Sequence, residues 1–299
     1  MYKIIQNRKI WLSISGTFVV VSLVLLISFG LKLGIDFTGG SILEIKYHEA
    51  RPSISELQDK LASVELNSLV IQPVGTDGML LRFQEISEEA HQEVVGALKK
   101  TTEEGIEVDF EEMRFEAVGP SIGQELKRKS VYAIVLVLLA IVFYIAWVFR
   151  RVSRPIASWK YGIVANVALF HDVIITLGVF AVLGKYYGME VNTPFVAAIL
   201  TVLGYSVNDT IVVFDRIREN LPISDTDFED TVNRSVNQTI TRSINTSMTT
   251  LLVLIAVLIF GGDSIRSFIL ALTVGIAVGT YSSIFLASPL LVVWERFRK

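Results

Sequence analysis

The chain has 299 residues, 52% of them hydrophobic and 19% charged, a balance too apolar for an ordinary water-soluble domain of this length. Its formal net charge is only -3 and nucleic acid is not expected among its partners; the absence of cysteine excludes disulfides, thiolate metal ligands and a cysteine nucleophile. His48, His91 and His171 lie far apart without metal-ligand spacing, so no metal site and no bound cofactor are expected.

The apolar residues are concentrated in runs near 10–29, 131–149, 162–183, 194–214, 243–260 and 268–292. Each is close to the ~20 residues that carry a helix across ~30 Å of hydrocarbon, so the sequence predicts an α-helical membrane protein with six transmembrane helices. Lys3, Arg8 and Lys9 precede the first run, and Arg150, Arg151, Arg154 and Lys160 separate the second from the third. Arg216, Arg218 and Arg234 separate the fourth from the fifth, and Arg296, Arg298 and Lys299 follow the sixth. The positive-inside rule makes that side cytoplasmic and puts both termini there. The first run has a basic start and no small-residue cleavage site after it, so it reads as an uncleaved signal anchor. The expected organisation is residues 1–31 as cytoplasmic N-terminus and first span, 32–128 as an extracytoplasmic α+β domain, and 129–299 as the bundle of the other five spans.

The external segment opens with GIDFTGGSILEIKY, in which Thr38, Gly39 and Gly40 make a turn and Ser41–Tyr47 alternates as a half-buried strand. Ser53 and Glu56 form a capping box for a helix reaching about Glu65. Strands through 69–74 and 79–83 flank the turn cluster Gly75, Thr76, Asp77, Gly78. Ser87 starts a second helix that Gly105 ends, and a last strand runs through 106–118. The order β, α, β, β, α, β predicts a ferredoxin-like sandwich between the first and second spans. The acidic residues Glu103, Glu104, Glu107, Asp109, Glu111 and Glu112 read as a charged, solvated strand edge, to which no site is assigned. Residues 121–129 are polar and helical in pattern and are expected to carry the chain along the membrane surface into the second span.

Inside the bundle the informative residues are polar ones at depth. An ionised Asp near the centre of a span costs roughly 2.5–3.5 kcal/mol on insertion scales, so Asp209, in the fourth span, is expected to face protein or a wet cavity and to be functional. Asn208 and Thr210 flank it. In the third span His171 and Asp172 form a second ionisable cluster, which a buried structural hydrogen bond explains as well as a proton relay does. Phe228, Val232, Val236 and Ile240 make a narrow apolar stripe, predicting an amphipathic helix near 226–240 on the cytoplasmic surface. That pattern runs without a breaker into the fifth span, where Gln238, Arg242, Asn245, Thr246 and Thr249 form a polar seam. Arg242 is either the counter-charge of Asp209 or a side chain that snorkels to cytoplasmic phosphates. In the sixth span Gly275, Gly279, Ser283 and Ala287 line one small-residue packing face.

The stretch GYSVNDTIVVFDRIREN, Gly204–Asn220, closely resembles the signature of SecF, the smaller membrane subunit family of the bacterial SecD/SecF protein-export complex. GIDFTGG, TRSINTSMTTLLVLIAVLIFGG and IRSFILALTVGIAVGTYSSIFLASPLLVVWE resemble further parts of that family, and the resemblance covers the whole chain. It implies membership of the resistance, nodulation and division superfamily and a non-enzymatic, proton-driven translocase subunit of the inner membrane. The proton-responsive roles fall on Asp209 and Arg242, supported by Asn208, Thr210, Asn245 and Thr246, with His171 and Asp172 as further candidates. Protons are the coupling ion. The implied partners are a SecD-like subunit with a second six-helix bundle, the SecYEG translocon, a YidC-type insertase and exported preproteins. The competing expectation is a non-catalytic scaffold joining the translocon to an insertase.

Overall fold

A computed structural model describes residues 1–49, 51–64, 66–99, 109–150 and 157–296. In chain order its elements are α1 (Arg8–Phe29), a single turn α2 (Ile35–Thr38), β1 (Gly40–Tyr47), α3 (Ile54–Leu61), β2 (Val70–Val74), β3 (Gly78–Phe83), α4 (Glu88–Lys99) and β4 (Phe110–Val118). Then come α5 (Pro120–Val148), α6 (Ser158–Tyr187), α7 (Thr193–Asn220), α8 (Phe228–Phe260), α9 (Asp263–Ser282), a π-helical segment Ser283–Ala287 and α10 (Ser288–Arg296). Six helices among the described residues are long and apolar enough to cross a membrane: α1, α5, α6, α7, α8 and the continuous path of α9 and α10. The chain divides into two compact units, Leu33–Lys129 and the remainder.

The smaller unit is built on a four-stranded antiparallel sheet in the order β2-β3-β1-β4. Alternation along β1 sends Leu43, Ile45 and Tyr47 to one face, where they form a core with Leu57 and Leu61 of α3 and Val94, Ala97 and Leu98 of α4. The elements follow the β, α, β, β, α, β order, and both helices contribute to that one core. The capping box forms as expected: Ser53 Oγ accepts from the Glu56 N–H, and the Glu56 carboxylate accepts from the Ser53 N–H. The double glycine does more than turn the chain. Gly39 has φ +76° and Gly40 φ +124°, and a Cβ on Gly39 would stand 2.8 Å from Pro120 Cα at the start of α5. Residues 121–129 continue as the first turns of α5 rather than as a separate surface helix. Residues Glu103, Glu104 and Glu107 of the acidic run, and Arg151, Arg154, Arg298 and Lys299 of the basic clusters, lie outside the described residues.

In the larger unit, the N-terminal segment, the start of α8 and the end of α10 meet at one end of the bundle. Glu229 accepts from Arg8 at 2.6 Å and also from Arg296, and Asn233 Oδ1 accepts from the Ile5 N–H at 3.1 Å. The amphipathic stretch near 226–240 is not a separate surface helix but the first half of α8. Val232 and Val236 are fully buried in the bundle core with Ile5, Phe214 and Ile217. A 33-residue helix is about 50 Å long and outruns the hydrocarbon, so its extra turns bury their apolar stripe against neighbouring protein.

Candidate functional site

Asp172 lies at the middle of α6 and is fully buried. Its Oδ2 accepts from Ser206 Oγ of α7 at 2.6 Å and from Ser282 Oγ of α9 at 2.9 Å, while Oδ1 is 2.9 Å from His171 Nδ1. Asp209 of α7 retains 8% exposure, and its Oδ2 accepts from Ser283 Oγ at 2.7 Å. Two consecutive serines on one helix therefore hold two carboxylates on two others. Successive helical side chains diverge by about 100°, so a helix placed against both α6 and α7 can offer one hydroxyl to each. The winding changes at this point, because the π-helical segment begins at Ser283, and Ser288 Oγ donates to the Ser283 carbonyl at 3.3 Å. Such π segments recur where a helix must re-aim side chains at a functional site.

Close approach of α9 to α7 makes this geometry possible. A Cβ on Gly279 would lie 2.9 Å from both Cβ and Oγ of Ser206 and 3.4 Å from Asp172 Oδ2, and one on Gly275 would lie 2.4 Å from Val202 Cγ2. The small-residue face read in the sequence is thus the surface that docks on α7. Thr210 is buried and donates to the Ser206 carbonyl at 3.1 Å, tying down the turn that carries Ser206. On the far side of the network the His171 ring stacks on Tyr281 at 6.2 Å. The Tyr281 hydroxyl donates to the Trp11 carbonyl at 3.3 Å and accepts from Ser15 at 3.1 Å, so α1 closes this side. His171 Nε2 is buried with no hydrogen-bond partner among the described residues.

The expected Asp209–Arg242 pair is not formed. α7 and α8 run antiparallel, joined by Tyr205–Thr250 at 3.2 Å, Arg216–Gln238 at 2.6 Å and Asn220–Ser235 at 2.8 Å. That register sets Thr246 level with Asp209 and Arg242 about one turn nearer the chain termini. The phase of α8 then decides the outcome. Its inward face is Ser243 and Ser247, the latter accepting from Thr280 at 2.6 Å, whereas Arg242, Asn245, Thr246 and Thr249 are exposed. On α7 the exposed residues beside them are Thr201, Gly204 and Asn208. Arg242 has no ion-pair partner among the described residues, and the supporting residues split: Thr210 lies inside, Asn208, Asn245 and Thr246 outside. Among the described residues no group of three His, Cys, Asp or Glu side chains is disposed to hold a metal.

Sequence reasoning brought Asp172 and Asp209 forward but missed Ser206 and Ser282, and it read Ser283 only as part of a packing face. The usable signal was positional: Ser206 precedes Asp209 by three residues, and Ser282 and Ser283 follow Gly279 by three and four, on the faces of the close helix contact.

Comparison with known proteins gives a consistent picture. Residues 98–297 match the family described as "Protein export membrane protein SecD/SecF, C-terminal", and residues 24–50 match the "SecD/SecF GG Motif". The chain is 42% identical over 306 residues to "Protein translocase subunit SecF" of Thermobaculum terrenum, covering 99% of this chain and 94% of that one. It is 38% identical over 282 residues to the protein of that name from Haemophilus influenzae, covering 94% and 82%. A crystal structure of SecDF from Thermus thermophilus, titled a translocon-associated membrane protein, superposes with a TM-score of 0.83 at 33% identity. That match covers 99% of this chain and 39% of the longer SecDF chain.

Proposed function

Since the chain belongs to the SecD/SecF family of protein-export membrane proteins, we propose that it is an accessory subunit of the Sec translocase that uses the proton gradient through Asp209 and Arg242 to assist export across the cytoplasmic membrane. The observation that carries this reading is the outward polar face of α7 and α8, on which Asn208, Arg242, Asn245 and Thr246 stand exposed at membrane depth beside the nearly buried Asp209. Polar groups facing hydrocarbon are costly, and an Arg there is the most costly of them, so the face calls for a protein cover. A SecD-like six-helix bundle supplies it. The SecYEG translocon, a YidC-type insertase and exported preproteins complete the proposed set of partners, and both termini are assigned to the cytoplasm.

In this mechanism, protonation of Asp209 removes a charge at the rim of the bundle and weakens its bond from Ser283, and the outward-facing Arg242, which is not paired with it here, loses a carboxylate it could reach in a second packing. Two packings of α7 against its neighbours then differ in stability, and the gradient biases them. One charge moved through 100 mV is worth about 2.3 kcal/mol, close to a fiftyfold shift. The scaffold reading draws on a different observation, the satisfied hydrogen bonds of Asp172, which a purely structural network also makes. Asp209→Asn separates the two. The amide oxygen still accepts from Ser283 but the group no longer titrates, so complex yield should persist while gradient-dependent export is lost. Export at the wild-type rate in cells that accumulate the variant would favour the scaffold.

A further inference from the structure

Both flanks of the first half of α6 are hollow. On one side an open cleft of about 290 Å³ lies between Val164 and Val167 of α6 and Leu290, Val293 and Trp294 of α10. On the other, a cleft of about 330 Å³ lies between Leu138 and Val142 of α5 and Ile163, Val167 and Phe170 of α6. Val167 is the ridge they share. One turn before Val164, Lys160 stands with its ammonium 5.3 Å from the Trp294 ring and 5.8 Å from the Trp159 ring, and the two indoles meet edge to face at 5.7 Å. No carboxylate among the described residues is within ion-pair distance of Lys160.

We propose that these paired clefts bind one anionic phospholipid, with an acyl chain on each side of Val167 and the phosphate on Lys160. The clefts are apolar grooves on membrane-spanning helices; among the described lining residues Asn166 donates through its Nδ2 to the Leu138 carbonyl at 3.0 Å, and its Oδ1 is buried away from the groove surface without a partner among the described residues. Tryptophan pairs of this kind mark the membrane–water boundary, and a basic group beside helices at that level selects anionic headgroups. A soluble anion makes no use of the clefts. A second helix bundle matches the polar face of α7 and α8, whereas here the exposed surface beyond the lysine is hydrocarbon, as at Phe143, Val167 and Phe170. The assignment rests on the membrane location of the helices and not on the proton mechanism, so either can fail alone.

Full-length protein purified in detergent is offered dioleoyl phosphatidylglycerol or dioleoyl phosphatidylcholine, and retained lipid is counted by native mass spectrometry. The expected result is about a fivefold preference for the anionic lipid, the effect of one basic side chain at a membrane surface. Lys160→Gln should abolish the preference, Val167→Trp should reduce retention of both lipids by filling both clefts, and Lys185→Gln, at the other end of α6, should change nothing. If Val167→Trp does not elute as a folded species, Lys160→Gln decides. Equal retention of the two lipids by the wild type, an unchanged preference in Lys160→Gln, or displacement by excess glycerol phosphate overturns the proposal. The chain has no cysteine, so benzophenone attached to Val293→Cys reports the occupant in intact membranes. Capture of lipid supports the site, and capture of protein refutes it.

Discussion

Gly279→Ala isolates the helix contact on which the serine bridge depends. The added Cβ meets Ser206 Cβ and Oγ at 2.9 Å, and Ser206 Cβ moves only if the α7 backbone moves with it. Relief therefore means separating α9 from α7, which draws Ser283 off Asp209 of α7. Gly16→Ala on α1 is the control, since a Cβ there meets nothing within 4 Å. Both changes gain about 0.8–1 kcal/mol of helix propensity. Gly279→Ala alone adds about 1–3 kcal/mol of overpacking and about 0.6 kcal/mol for an interhelical hydrogen bond lost in a membrane. The two variants should thus differ in unfolding free energy by about 2–4 kcal/mol. The assay is unfolding in mixed micelles by increasing SDS fraction, followed by circular dichroism, with export measured in cells that contain the variant. Coincident unfolding of Gly279→Ala and Gly16→Ala would refute the close contact, and with it the reason for glycine at 279.

Ser283→Ala should impair gradient-dependent export more than Ser282→Ala, because Asp209 loses its one donor among the described residues whereas Asp172 keeps Ser206 and His171. Each should cost about 0.6 kcal/mol of stability and no more than about 1.7 kcal/mol, so a larger effect on export than on complex yield identifies a functional role. A soluble fragment spanning 33–129 should unfold cooperatively on its own core, and Tyr47→Phe should make it about 1 kcal/mol more stable at neutral pH by removing a buried hydroxyl with no partner among the described residues. Burial also pushes the Tyr47 phenol up to about 12. The unfolded chain releases that proton nearer 10, so the fragment should lose stability as pH rises from about 10 to about 12, and Tyr47→Phe should lessen the loss. Chemical denaturation across that range checks both statements.

The spans were legible because membrane solvation writes them as length and composition, and the strands because alternation and turn residues agree. Two of the misreadings, the surface helix near 226–240 and the Asp209–Arg242 pair, have one origin: an apolar stripe or a polar seam gives the phase of a helix but not what lies against it. Val232 and Val236 fit a lipid surface as well as a protein groove, and only the unbroken run into the fifth span indicated one continuous helix. Arg242 and Ser243 are adjacent in sequence, yet one faces outward and the other is buried. Pairing Arg242 with Asp209 needed a rotation of α8 that opposite charges alone do not fix. Ser206 and Ser282 escaped notice, and Ser283 was read only for packing, because a hydroxyl in a span costs little, satisfies itself on the preceding turn, as Thr176 does on Asp172 and Thr273 on Ile269, and so carries little information without a three-dimensional partner.

Among the described residues Asp209 belongs to both polar systems. Asp172 is sealed, with hydroxyls and an imidazole around its carboxyl group and no exposure. Arg242 and Asn208 lie wholly on the outer face. Asp209 follows Asn208 directly, keeps a narrow opening on its own account, and is held from within by Ser283, the neighbour of the serine that holds Asp172. Ser282 and Ser283 are successive residues, the last of α9 and the first of the π-helical segment, so the two carboxylates are held one residue apart. In the proposed mechanism a change of charge at Asp209 passes from Ser283 to Ser282, one residue step of about 1.5 Å along the helix axis, and so to Asp172. The π-helical winding that begins at Ser283 is where the proposed mechanism places the local adjustment of α9.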